Sequence, residues 1–117
     1  DIIHDAWQFS HQGESIKVKV QSNRSSNDAE LVRRWCVNSK GIAAKSSLDM
    51  SNDLLNEQVV PLLAEFSPQP TELWLICPSR QTITPAVRLL REHLKVKCLD
   101  VLTQLVNKGI LAKVDIL

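Results

Sequence analysis

With 117 residues and a formal net charge of +1, the chain fits one domain or a large piece of one. Hydrophobic residues make up 44% and charged residues 23%, a globular composition that excludes disorder as a description of the whole chain. No basic stripe stands out and no apolar run approaches the roughly 18 residues of a spanning helix, so neither a nucleic-acid surface nor a membrane span is written into it.

Asp5-Ala6-Trp7-Gln8-Phe9 alternates as a strand does, His11-Gln12-Gly13-Glu14 reads as a turn, and residues 15–20 alternate again with Ile16, Val18 and Val20 on one face. The pair predicts a β-hairpin with a somewhat long loop. Residues 21–26 are polar and irregular. A helix is expected from Asn27, an N-cap residue with Glu30 three positions on for a capping box. Leu31, Val32, Trp35 and Cys36 form its apolar stripe, and Gly41 is placed to end it in the left-handed conformation.

Ile42-Ala43-Ala44 reads as a short inner strand of small residues and residues 46–56 as a short helix. Residues 58–63 read as a strand that Pro61 demotes to an edge or bulge, and residues 66–70 as a loop. The unbroken apolar run of residues 72–77, ended by Pro78, suits a central strand buried on both faces. Thr84 and Pro85 open a last long helix with Val87, Leu90, Leu94, Cys98 and Leu105 along one stripe. It runs to Gly109 or breaks near residues 95–97. Residues 110–117 form a terminal strand or a tail. Strands alternating with helices indicate an α/β layered fold.

The motif census argues against an enzyme. None of His4, His11 and His93 sits in an HExxH-like pattern, and GxSxG, GxxxxGK[ST] and GxGxxG are all missing. Asp49 and Asp53 lie one helical turn apart and read as a solvated face. Cys36, Cys77 and Cys98 lack zinc-ligand spacing; they read as small buried hydrophobes and, as free thiols, fit a reducing cytoplasm. No metal and no cofactor is expected. Trp7, Trp35 and Trp74 read as core or interface anchors, and Arg88 and Arg91 as exposed or ion-paired.

Ser25, Ser26 and Asn27 carry the one suggestion of a site. The first N–H groups of a helix have no internal partners, so hydroxyls and an amide beside them complete either plain capping or a pocket for a carboxylate, sulfate or phosphate. The small residues of Gly41-Ile42-Ala43 permit close ligand approach or tight packing of strand on helix.

The order of these pieces resembles the C-terminal half of the ligand-sensing domain of LysR-type transcriptional regulators. The resemblance runs from the Trp7-Gln8-Phe9…Gly13…Ile16-Lys17-Val18 hairpin through Asn27-Asp28-Ala29-Glu30, Gly41-Ile42-Ala43 and Val59-Val60-Pro61-Leu62-Leu63. It continues through Pro78-Ser79-Arg80 to Thr84-Pro85-Ala86-Val87-Arg88, and covers roughly residues 5–96. It implies a periplasmic-binding-protein-like (type 2) lobe, with a mixed sheet flanked by helices. In that reading the chain is a partial effector-binding domain, with residues 5–82 as the second lobe and residues 83–117 as a return helix and tail.

The resemblance further implies a cytoplasmic homo-oligomer that binds a small-molecule effector, anionic in one reading. DNA would be reached only through a helix-turn-helix domain that this sequence does not contain; Asp1-Ile2-Ile3 reads as the start of an excised fragment. The implied ligand-binding residues are Ser25, Ser26 and Asn27 before the helix, with Ala43 and Lys45 near the cleft floor. Two positions depart from the family. Ser46 stands where many relatives carry proline, and Lys45 stands where the family is usually apolar, either exposed or supplying a cation for an acidic effector. The alternative from another class is a solute-binding protein of a transport system. Residues 98–117 run past the family's usual end, as an amphipathic continuation used for self-association.

The charge pattern yields a first prediction. The isolated chain should give no gel shift with duplex DNA at micromolar protein in about 150 mM salt, because its lysines and arginines form no basic face that would release counterions from phosphates. A salt-dependent shift under those conditions would contradict it.

Overall fold

The computed structural model describes residues 6–113, and the chain divides after Pro70 into two units, residues 1–70 and 71–117. Asp5 of the expected first strand and residues 114–117 of the expected tail lie outside the described residues.

The first unit opens with β1 (Ala6–His11) and β2 (Glu14–Lys19), paired antiparallel. The connection is shorter than expected: Gln12 and Gly13 alone make it, with φ of 51° and 80°. Two positive φ values form the primed turn whose twist matches that of the strands. The register sets Trp7 opposite Val18 and Phe9 opposite Ile16 on one face, and Gln8 opposite Lys17 on the other.

A third strand, β3 (Ser67–Pro68), adds to the free edge of β1, so the sheet order is β2-β1-β3. These two residues fall in the expected loop of residues 66–70. Pro68 has no N–H to give to a further strand, which suits an edge. Phe66 anchors the junction. Its ring meets Phe9 edge-on at 6.5 Å and stacks on His11 at 4.5 Å. His11 Nδ1 lies 2.9 Å from the Glu65 carbonyl oxygen; a carbonyl only accepts, so Nδ1 carries the hydrogen.

Two helices lie between β2 and β3, α1 (Ala29–Val37) and α2 (Ser51–Leu55), the second preceded by a turn through residues 47–50. Of the expected α1 stripe, Val32, Trp35 and Cys36 are half-buried but Leu31 is exposed, and Met50, 5% exposed, is the one buried hydrophobe among the described residues of this unit. Both helices end in the same motif. Ser39 and Glu57 each take φ of 60°. Lys40 N then donates to Trp35 O at 2.9 Å and Ser39 N to Cys36 O at 3.1 Å, while Gln58 N donates to Asp53 O at 2.8 Å and Glu57 N to Leu54 O at 3.2 Å. These crossed bonds satisfy the last carbonyls of each helix. Ser39, rather than Gly41, is therefore the residue that ends α1.

The second unit holds a 3-10 turn (Arg80–Thr82) and then α3 (Pro85–Asn107), which continues without a break through residues 95–97. Thr84 Oγ1 accepts from Val87 N at 3.3 Å, with Pro85 in the first turn. The same crossed motif closes it: Gly109 has φ of 75°, Ile110 N donates to Leu105 O and Gly109 N to Val106 O, both at 2.9 Å. Leu105 is fully buried and Ile110 half-buried. Residues 110–113 form no strand.

Three expected strands do not form among the described residues. Residues 42–44 lack a partner, and Ile42 is 70% exposed. Residues 58–63 are interrupted by Pro61, and Leu63 takes φ of 57°, which ends an extended run. Residues 72–77, expected to be central and covered on both faces, are paired with nothing, and Ile76 is 85% exposed. In consequence the expected mixed sheet is, among the described residues, a small antiparallel one. The α/β class stands, since helices and strands share the chain. Apolar alternation marks where a strand is possible; without neighbours its ladder is not made.

The helix ends generate a prediction. Ser39→Gly relieves a left-handed conformation that costs an L residue roughly 1 kcal/mol and should raise stability by about that much, whereas Gly109→Ala should lower it by about 1 kcal/mol. Urea unfolding midpoints of the two variants would move in opposite directions.

Candidate functional site

The expected site lies at the start of α1, and the structure alters its wiring. The N-cap is Asp28, not Asn27. Asp28 is extended (φ −86°, ψ 105°), and its Oδ1 accepts from Glu30 N at 3.0 Å and Leu31 N at 3.3 Å. A carboxylate answers the positive helix end better than an amide, which accounts for the one-residue displacement. Glu30 thereby becomes the second helical residue instead of the third. It does not turn back to complete a capping box; it pairs forward along the helix.

Ser26 Oγ accepts from Asp28 N at 3.0 Å. Three of the donors that an outside anion would use, on Asp28, Glu30 and Leu31, are thus engaged by the chain's own oxygens. Ser25, Ser26 and Asn27 are all exposed beside them.

Lys45 is neither exposed nor unpaired. Its side chain is 10% exposed; Nζ donates to Ala29 O at 2.8 Å and forms an ion pair with Asp49. This bond brings Lys45 to the first turn of α1, so it shares that helix end with Ser25, Ser26 and Asn27. Ala43, two residues earlier, is half-buried. The lysine departs from the apolar residue expected at this place because it ties two segments together, and Asp49 already matches its charge.

A second network braces the same helix. Arg33 Nη1 donates to both carboxylate oxygens of Asp53 at 3.0 Å, while its Nε and Nη2 donate to Glu30 at 2.9 and 3.1 Å. Arg34 Nε adds a bond to Glu30 at 3.0 Å. One planar guanidinium spans two carboxylates, a task for which lysine lacks the fork. Hydrogen bonds from Arg33 first and Arg34 second pull the Glu30 carboxyl from its ordinary 4.5 down to about 2. Glu30 and Asp53 raise the Arg33 guanidinium further still.

Asp49 and Asp53 are therefore not a solvated acidic face: each holds one cation. The Glu30 pairs were legible at helical spacing. Arg33–Asp53, twenty residues apart, left no local signal.

The other sequence candidates have surroundings of their own. His11 is half-buried under Phe66 and ties β1 to Glu65. Trp7 and Trp35 are half-buried, Trp35 with the Arg24 guanidinium 5.9 Å from its ring, whereas Trp74 is 73% exposed. Arg88 and Arg91 are exposed, Arg91 facing Glu92 at 3.6 Å. Cys36, Cys77 and Cys98 are free and half-buried, less covered than expected. Among the described residues no three His, Cys, Asp or Glu side chains group as a metal site, and no helix is long and apolar enough to cross a membrane. Chemically, this helix end offers hydroxyls, an amide and a neutralised lysine: hydrogen-bonding groups for a small polar ligand.

Comparison with known proteins identifies the setting. The LysR substrate binding domain family matches residues 4–98. The chain is 33% identical over 89 residues to the HTH-type transcriptional regulator DmlR of Escherichia coli K12, covering 76% of this chain and 29% of the relative. It is 32% identical over 76 residues to the HTH-type transcriptional activator TtdR of the same strain, covering 65% and 24%. The putative LysR family substrate binding domain-containing protein YagP, also of that strain, is 26% identical over 89 residues, covering 76% and 65%. The chain thus spans about a quarter of the two regulators it matches. No solved structure matches.

The Arg33 network generates a pH prediction. Because the Glu30 carboxyl is depressed on folding, its stabilising effect is complete above about pH 4.5 and is lost as pH falls toward about 2. Arg33→Met removes the larger cause and should flatten the loss of stability over that window, with a lower urea midpoint at neutral pH. An unchanged pH profile from pH 6 to pH 2 would remove Arg33 as the cause.

Proposed function

This chain belongs to the LysR substrate binding domain family, and we propose that it is the effector-sensing part of a helix-turn-helix transcriptional regulator working in the cytoplasm. The observation that carries the reading is the family match over residues 4–98, joined to relatives named as HTH-type regulators. Those names favour regulation over the alternative of a solute-binding protein for transport. The reading takes the lobe to be periplasmic-binding-protein-like, with residues 5–82 as the second lobe and 83–117 as return helix and tail.

In this role a small molecule contacts Ser25, Ser26 and Asn27, with Ala43 and Lys45 on the facing segment. Binding shifts the population toward one arrangement of a homo-oligomer, and the shift is as large as the ligand's preference for that arrangement. Nothing in the scheme needs a bond made or broken, and DNA is contacted by another domain. An anionic effector competes with Asp49 for Lys45; a neutral polar one leaves that pair intact.

Thermal-shift titration with small mono- and dicarboxylates and with neutral sugars separates the two. One class should raise the melting temperature by several degrees, since a ligand at a hundred times its Kd adds about 2.7 kcal/mol. Asn27→Ala should abolish that rise. No response to either class, or full response in Asn27→Ala, would overturn the assignment.

A further inference from the structure

We draw no further inference here: the strongest candidate, the surface patch of α3 formed by the exposed Leu89, Leu90, Leu94, Val96 and Leu99, has nothing in the structure to show what covers it, in a chain that spans about a quarter of the two regulators it matches.

Discussion

A single guanidinium organises the first unit. With Met50 its one buried hydrophobe among the described residues, this unit has little apolar burial to fix how its helices meet. Arg33 supplies a directional tie instead: it grips Asp53 through one nitrogen and Glu30 through two others. Lys45 repeats the device at the first turn of α1, reaching Ala29 O and Asp49. Such ties are specific in geometry and weak against solvent screening when exposed, so they fix arrangement more than they add stability.

The same ties decide what the start of α1 can offer a ligand. An open helix N-terminus attracts anions through its dipole and its unpaired N–H groups. Here Asp28 occupies that pole and Asp49 holds the nearby lysine. In the proposed sensing role, recognition then falls to the hydroxyls of Ser25 and Ser26 and the amide of Asn27. Charge at this helix end acts by competition with groups already in place.

The second unit poses the opposite problem. Among its described residues Leu105 alone is fully buried, held under a helix end whose crossed hydrogen bonds bring Ile110 back toward it. Meanwhile residues 73–76 present a contiguous hydrophobic surface of the kind that soluble monomers seldom leave open. The family match ends at residue 98, yet α3 continues unbroken to Asn107. Of the apolar residues of that extension, Val101, Leu102, Leu105 and Val106 are at least half-buried, and Leu99 is exposed. Uncovered apolar side chains also lie on α3, where Leu90 and Leu94 of the expected stripe are exposed together with Leu89, Val96 and Leu99.

Local patterns were enough to determine the hairpin, the three helices and the opening of α3 by Thr84 and Pro85, because alternation, helical spacing and capping act between residues close in the chain. The order of those patterns also carried the family. Local chemistry misplaced the first cap by one residue and gave to Gly41 a left-handed position that Ser39 takes, since both choices turn on backbone angles that several neighbours can satisfy. Tertiary structure decided the rest: the Arg33–Asp53 clamp, the Lys45 bond to Ala29, the third strand at Ser67 and Pro68, and the unpaired state of residues 72–77. Each depends on which distant segment comes within hydrogen-bonding reach, and chain spacing alone holds no record of that distance.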